Sequence, residues 1–268
     1  AAALEYGKFV NNAGIYLNGR IMNIRNAGLL LAVVLAALCF VPAAFAGSFF
    51  DGWTGDVFVG YNKSNGNTEK STGSASAQAL KKFEHSQYSI KGNMFYSESN
   101  NKMDGQKWDI LSKYSLDLGE GYRWYNFYQV FADHDYFSDI DYRITPSLGF
   151  GCHILTGEDL IWDADAGPGY RITRHRVNTA EDDETLTAVA HTFMKKKIFE
   201  KSFLSEDLTV YPALKSDNGT LLKSETVFTN PLRDNLDLEI KYILDYNSKP
   251  AGKKKTDTQV IAGIKYKF

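Results

Sequence analysis

The chain has 268 residues, a formal net charge of −2 and two cysteines. Because this balance gives no basic excess, we predict that the protein binds no nucleic acid. Beyond residue 46 the only cysteine is Cys152, which excludes an intramolecular disulfide and a paired-cysteine metal site in that part of the chain.

Residues 22–46 have the pattern of a secretory signal peptide. Arg25 belongs to a short charged start, residues 27–41 are almost wholly apolar, and Ala-Phe-Ala at 44–46 precedes the expected cleavage before Gly47. The apolar stretch has about 15 residues, whereas a membrane-spanning helix needs roughly 20. We therefore predict cleavage and export rather than a helical anchor.

Two further segments complete the predicted organisation. Residues 1–21 precede the signal pattern, and we interpret them as an upstream or vector-derived segment. Residues 47–268 carry 27 basic and 31 acidic side chains, a net charge near −4, and their length fits one domain.

Alternating apolar and polar residues predict about twelve β-strands in this domain. The pattern is clearest in 141–152, 159–166 and 236–247, and it is weakest in 74–82 and 184–198. The predicted strands cover 53–62, 74–82, 87–98, 107–118, 122–132, 140–152, 158–171, 184–198, 206–215, 220–229, 235–247 and 257–268.

The last of these strands has a nearly continuous apolar face. Val260, Ala262, Ile264, Tyr266 and Phe268 share that face, and the chain ends on the Phe. Apolar strands with aromatic residues at their ends are typical of transmembrane barrels. The ending resembles the insertion signal of bacterial outer-membrane proteins, which implies that the insertion machinery reads it at Gly263, Tyr266 and Phe268.

The lengths of the connections also favour a membrane barrel. If the C-terminus is periplasmic, the periplasmic connections are shorter on the whole than the outer ones, as in outer-membrane barrels. Open sheet edges are unsatisfied in lipid, so the sheet must close. We predict an all-β, transmembrane, antiparallel up-and-down β-barrel of about 12 strands in the bacterial outer membrane, surrounded by outer-membrane lipid. The connections lie near 83–86, 119–121, 153–157, 199–205 and 230–234 on the periplasmic side, and near 63–73, 99–106, 133–139, 172–183, 216–219 and 248–256 outside.

Four segments, in this order along the chain, resemble the DUF481 family of salt-induced outer-membrane proteins. They are 53–61 (WTGDVFVGY), 135–151 (DYFSDIDYRITPSLGFG), 166–171 (AGPGYR) and 236–246 (LDLEIKYILDY). The resemblance implies an outer-membrane barrel with a link to salt or osmotic stress, and it implies little chemistry.

Charged residues on the polar strand faces are the predicted functional set. If the apolar faces contact lipid, these side chains line the lumen, where they form an electrostatic filter or neutralise one another inside a filled barrel. Eight strands leave a filled interior and sixteen an aqueous channel, so twelve leaves both alternatives open. The candidates are Asp141, Arg143, Asp163, Asp165, Asp237, Glu239, Lys241 and Asp245.

Glycines recur at 149, 151, 167 and 169, within predicted strands. A phosphate-binding glycine loop would have to open a helix, which this position does not allow. We predict instead that these glycines let the barrel wall bend or let a bulky lumen side chain fit opposite them.

His134 is the remaining candidate for chemistry, because it lies between Asp133 and Asp135. A solvated acidic loop is the favoured interpretation, ahead of a metal site that includes Asp139 and Asp141 and ahead of a catalytic site. We therefore predict no catalytic residues, no metal, no cofactor and no enzyme. The predicted function is a passive pore for small solutes or ions, or an envelope protein. The alternatives are a lipid-modifying enzyme and a non-conducting structural or adhesion barrel.

Overall fold

The computed structural model describes residues 14–17, 20–23, 51–64, 70–100, 102–119, 121–176, 182–214, 219–250 and 254–268. It divides into two units, Ala1–Asp51 and Gly52–Phe268. In the first unit, β1 (Gly14–Leu17) and β2 (Arg20–Asn23) pair as an antiparallel hairpin. The predicted signal peptide lies outside the described residues except for Met22 and Asn23, which belong to β2.

Twelve antiparallel strands of the second unit form one closed barrel, in which each strand pairs with its neighbours in sequence and β14 pairs with β3. This confirms the predicted fold. No α-helix long and apolar enough to span a membrane occurs in the described ranges. The strands are β3 (Trp53–Ser64), β4 (Lys70–Lys82), β5 (Ser86–Ser99), β6 (Lys102–Leu118), β7 (Trp124–Asp135), β8 (Ile140–Thr156), β9 (Leu160–His175), β10 (Asp183–Lys197), β11 (Phe203–Pro212), β12 (Thr220–Arg233), β13 (Leu236–Asn247) and β14 (Thr256–Lys267).

Two predicted loops are shorter in the structure. β4 begins at Lys70 and β6 at Lys102, so most of the predicted loops 63–73 and 99–106 is strand. Small and polar residues have low strand propensity, but hydrogen bonding to strands on both sides outweighs that preference. The chain turns between β5 and β6 at Asn100, whose φ is +50°.

The connections lie at two ends of the barrel, sorted as the sequence predicts. We call the end with Trp53 and Phe268 the lower end, and the opposite end the upper end. The lower-end connections are short, at 83–85, 119–123, 157–159, 198–202 and 234–235. The upper end carries 65–69, 100–101, 136–139, 176–182, 213–219 and 248–255.

The barrel wall has apolar side chains on its outer face and charged side chains on its inner face, the reverse of a water-soluble protein. Large apolar side chains face outward, such as Phe150, Val260 and Tyr128, which are 67%, 58% and 52% exposed. Charged side chains are buried inside, among them Asp165 and Glu239 at 5% and 3%. A water-soluble sandwich would show the opposite arrangement, whereas a barrel surrounded by lipid presents an apolar exterior.

Candidate functional site

Ion pairs cross the inside of the barrel. Lys91 on β5 contacts Glu225 on β12 at 2.9 Å and Asp207 on β11 at 3.5 Å. Lys223 on β12 contacts Asp109 on β6 at 3.0 Å. None of these strand pairs are neighbours in the sheet, so their side chains meet in the interior. With the pair between Lys107 and Asp245, these residues form a belt that we call the waist: Lys91, Lys107, Asp109, Asp207, Lys223, Glu225 and Asp245.

Asp165 connects the waist to the neighbouring strands. Its carboxylate, with a fully buried side chain, contacts the Lys113 ammonium at 2.5 Å and accepts a hydrogen bond from the Tyr125 hydroxyl at 2.9 Å. His191 lies between two carboxylates, with Nδ1 at 2.9 Å from Asp165 and Nε2 at 3.3 Å from Asp207. Hydrogen bonds to charged groups are stronger than neutral ones, so this cluster fixes its members firmly.

A second group of ion pairs follows β13 and β14 toward the lower end. Glu239 contacts Lys265 at 2.5 Å and Lys241 at 3.5 Å, and Asp237 contacts Lys267 at 2.9 Å. Glu239 and Asp237 are almost fully buried. A buried charge without a partner is costly, and each of these carboxylates has a cation within reach.

Apolar side chains fill one side of the interior. Tyr125, Phe127, Phe131, Val189, Tyr211 and Leu221 form a buried cluster on β7, β10, β11 and β12. The rings of Phe131 and Tyr211 stack with centroids 5.7 Å apart. Waist and neighbouring lysines lie over aromatic rings, as Lys223 does over Phe131 at 4.9 Å and Lys113 over Phe127 at 4.8 Å. These contacts hold the ammonium groups in place.

The interior space narrows at the waist. A cavity of about 540 Å³ lies at the upper end, with Asp104 and Lys254 in its wall. Another of about 540 Å³ lies at the lower end, with Gln87 and Lys267 in its wall. Between them, the cavity lined by waist residues measures about 110 Å³. The barrel interior therefore holds two vestibules with a smaller, charge-lined cavity between them.

Seven of the eight predicted residues belong to ion-paired or hydrogen-bonded interior groups. Arg143 donates to both carboxylate oxygens of Asp133, at 2.9 and 2.5 Å, and both side chains are buried. Asp163 lies 2.6 Å from Nδ1 of His153. The other five, described above, are Asp165, Asp237, Glu239, Lys241 and Asp245.

Asp141 is the exception, because the prediction placed it on the inner face and the structure does not. Asp141 and Tyr142 are both exposed and lie between the buried residues Ile140 and Arg143. The register of β8 against β9 shifts between Ile140 and Tyr142. A bulge inserts an extra residue and interrupts the period-2 alternation, which removes Asp141 from the inner face.

The side chains of the acidic segment around His134 do not converge on a common point. His134 Nδ1 lies 2.7 Å from the carbonyl oxygen of Asp141, and its ring stacks on Trp108. Asp135 accepts backbone hydrogen bonds from Phe137 and Ser138, both at 3.0 Å. Across the described ranges, no group of three His, Cys, Asp or Glu residues is arranged to hold a metal ion.

The sequence-based prediction did not include the ion-pair partners of the predicted residues, although the alternation of apolar and polar residues could have identified them. On β6, Lys107, Asp109 and Lys113 occupy odd positions, and Ile110 between them is exposed. The same test applied to β5, β11 and β12 gives the remaining members of the waist. The signal was therefore present in every strand, including those with weaker alternation.

Gly151 lies against a bulky interior side chain, in agreement with its predicted role, and Gly263, for which no such role was predicted, does so as well. A Cβ on Gly151 would come within 2.1 Å of the Tyr125 ring. A Cβ on Gly263 would come within 2.6 Å of the Phe58 ring and 2.3 Å of the Val59 carbonyl oxygen. At these two positions glycine leaves space that an interior ring occupies beside the wall.

The predicted insertion signal lies at the junction of the first and last barrel strands. Tyr266 and Phe268 face outward and are 38% and 53% exposed. The backbone of Phe268 exchanges hydrogen bonds with Gly55, at 3.0 and 3.1 Å. This location fits a segment that closes the barrel, and recognition by insertion machinery stays a prediction.

A closed antiparallel barrel with an apolar exterior and a charged interior belongs to the class of membrane-spanning β-barrels. More specifically, the chain belongs to the DUF481 family, described as "Protein of unknown function", whose model matches residues 57–268. The family description does not mention salt, so the link to salt or osmotic stress stays a prediction.

Comparison with solved structures finds outer-membrane barrels of low sequence identity. A NanC porin structure is 12% identical with a TM-score of 0.49, over 80% of this chain and all of that one. The COG4313 outer membrane channel from Pseudomonas putida F1 is 10% identical with a TM-score of 0.49, over 81% and 95%. The translocator domain of autotransporter NalP from Neisseria meningitidis is 12% identical with a TM-score of 0.43, over 91% and 98%. No curated protein sequence matches this chain.

Proposed function

We propose that this protein is a bacterial outer-membrane barrel that forms a narrow pore for small ions, with its waist as the restriction. The observation that carries the proposal is a cavity of about 110 Å³, lined by charged side chains of both signs, between two vestibules of about 540 Å³ each. Pores discriminate among ions through rings of charged side chains at such constrictions.

Three features support the proposed location in the outer membrane. The exterior of the barrel is apolar, the sequence predicts a signal peptide that is cleaved at export, and the last strand resembles an insertion signal. Closed barrels are the β-structures that lipid tolerates, because closure leaves no open sheet edge. Outer-membrane lipid and, during assembly, the insertion machinery are therefore the proposed partners.

The size of the waist limits what can pass. Water occupies roughly 30 Å³ per molecule in the liquid, so the central cavity of about 110 Å³ holds only a few molecules. A small ion can exchange its hydration for the waist charges, whereas a sugar-sized solute would have to displace packed side chains. We expect a low conductance and exclusion of larger solutes.

Planar-bilayer recording of the exported protein, purified from outer membranes, tests the proposal. The wild type should give small, discrete current steps. The double variant Lys223→Ala/Asp109→Ala removes both members of a cross-barrel pair without leaving a buried charge from that pair, and it should give larger steps. A matched variant of the exposed pair Lys197→Ala/Asp159→Ala at the lower end should behave as the wild type does. If none of the three proteins gave current steps, a pore would be excluded.

A non-conducting structural barrel is the second candidate, and the packed cluster around Phe131 and Tyr211 favours it. It predicts that the double variant stays silent as well. An enzymatic role is not proposed, since the interior charges are engaged in mutual pairs. The link to salt or osmotic stress stays a prediction from the family resemblance.

A further inference from the structure

Glu206 on β11 is a carboxylate that faces the exterior of the barrel. Its register partners are Met194 on one side and Thr226 on the other, and Tyr242 follows in the same row. Register partners point to the same face of a sheet, and Met194 and Tyr242 are 42% and 41% exposed. The next residue, Asp207, belongs to the waist and points inward, as period-2 alternation requires.

This carboxylate lies near mid-height of the wall. Asp207 beside it and Glu225 beside its partner Thr226 are both members of the waist. Thr226 is also close to the middle of β12 (Thr220–Arg233). In a barrel that spans a membrane, a charge on the lipid face costs most at this depth. Ionisable residues within a membrane usually pair with a partner or have a function.

Two hydroxyl groups of β12 hold the Glu206 carboxylate in place. Ser224 Oγ donates to Oε1 at 2.6 Å, and Thr226 Oγ1 donates to Oε2 at 2.5 Å. An ionised carboxylate can accept about four hydrogen bonds, so both oxygens keep further acceptor capacity. The side chain is partly exposed, and lipid tails offer it no donor. Glu206 is therefore an oriented acceptor in an apolar environment.

Apolar side chains surround Glu206 on the outer face. Leu204 and Leu208 lie on either side of it along β11, and Phe228 lies two residues from Thr226 on β12. Leu204 is 41% exposed. Membrane-spanning segments associate through contacts of this kind, in which polar side chains pair across an otherwise apolar interface. The outer face of β10, β11 and β12 therefore has the features of a contact with another protein chain.

A complementary cation lies on the same outer face. Lys196 of β10 is the register partner of Leu204 and is exposed. It lies two residues nearer the lower end than Met194, which corresponds to about 7 Å along the strand. The flexible four-carbon stem of a lysine can span that difference in height. Within one chain, Glu206 accepts its hydrogen bonds from β12, on the side away from Lys196.

We propose that two copies of this chain associate side by side in the membrane through the outer faces of β10, β11 and β12. Glu206 of each copy pairs with Lys196 of the partner subunit, and the surrounding apolar side chains pack together. Copies with the same orientation are related by an axis along the membrane normal, so every residue keeps its height in both. A two-fold contact repeats each pairing, so one interface satisfies both carboxylates. The inference rests on the proposed membrane location and does not require conduction.

Thiol cross-linking in outer-membrane fragments tests the contact. In a Cys152→Ser background, Met194→Cys places a thiol beside Glu206 on the proposed interface. A bismaleimide should then give a product with twice the mass of the chain. Met94→Cys is the matched control, because Met94 is also exposed but lies on β5, on the far side of the barrel, and it should stay monomeric. Equal cross-linking of both variants, or a product that contains a different protein, would overturn the proposal.

Exchange of the two charges tests the pairing in the Met194→Cys background. Glu206→Lys and Lys196→Glu should each lower the yield of cross-linked dimer about tenfold, the scale of a polar contact in lipid. Co-expression of the two variants should restore the dimer, because unlike charges then meet in both pairs across the interface. A pair within one chain could not be restored in this way, so failure of the mixture would overturn the proposal. Glu98→Lys on β5 is the matched control and should dimerise as the wild type does.

A purely structural role for Glu206, in which it only braces β11 against β12, predicts a different result. Glu206→Leu would then lower the urea midpoint of unfolding and leave cross-linking unchanged, which would overturn the proposal. We expect less cross-linking and, at a protein-to-lipid ratio too low for association, no decrease in the midpoint, because leucine suits a lipid-facing position. Failure of the proposed location is distinguishable, since that chain would not fractionate with outer membranes, whereas an inserted monomer would refute the pairing alone.

Discussion

Replacing Asp165 by Asn should destabilise the barrel more than any comparable change on its surface. The Asp165 side chain is fully buried, and its carboxylate contacts Lys113 at 2.5 Å and His191 at 2.9 Å. Asn keeps the shape but loses the charge. The ammonium of Lys113, whose side chain is 14% exposed, would then lack its carboxylate partner in the interior.

The expected magnitude follows from the burial of the pair. Removing one member of a buried ion pair costs about 3–5 kcal/mol, because the remaining charge stays desolvated. Replacing both members with uncharged side chains of similar volume is nearly neutral in many proteins. Asp165→Asn should therefore cost about 3 kcal/mol or more, and Asp165→Asn/Lys113→Met should recover most of that loss.

Urea unfolding of the protein in lipid vesicles, followed by tryptophan fluorescence, measures both values. Glu184→Gln is a suitable control, since it removes one member of the exposed pair with Arg174 and should cost less than about 1 kcal/mol. The reasoning would be refuted if Asp165→Asn unfolded at the wild-type urea concentration. It would also be refuted if the double variant were as unstable as the single one.

Three other changes test the wall, the buried pairs and the closing strand. Gly151→Val should lower the unfolding free energy by about 1–3 kcal/mol because its side chain would overlap the Tyr125 ring; Gly73→Ala, which adds a methyl group to open space, should leave the urea midpoint unchanged. Arg143→Lys should cost about 1–3 kcal/mol, since lysine cannot reproduce the two-point contact with its carboxylate partner; an unchanged midpoint would contradict this. Deletion of Phe268 should reduce the amount of folded barrel recovered from outer membranes, whereas Phe199→Ala in a lower-end turn should not; equal recovery would separate the terminal residue from assembly.

Strand positions could be predicted from sequence because lipid outside and charge inside impose a strict period of two. That rule works within one strand and requires no knowledge of the neighbours. It placed Glu239 and Lys241 correctly on one face of β13. It could not place Asp141, since a bulge adds a residue without leaving a distinct composition.

Contacts across the barrel could not be predicted in the same way. Lys91 and Glu225 are far apart in sequence and meet only because the sheet closes with a particular stagger. Alternation gives the face of each residue but not its height relative to strands on the opposite wall.

The Phe58 ring occupies space that belongs to side chains at both Gly60 and Gly263. If β14 met β3 two residues out of step, Ile261 or Lys265 would collide with this ring. Registers of β14 against β3 that are shifted by two residues are therefore disfavoured. The fit of the phenylalanine ring beside the two glycines thus helps to select the register in which the barrel closes.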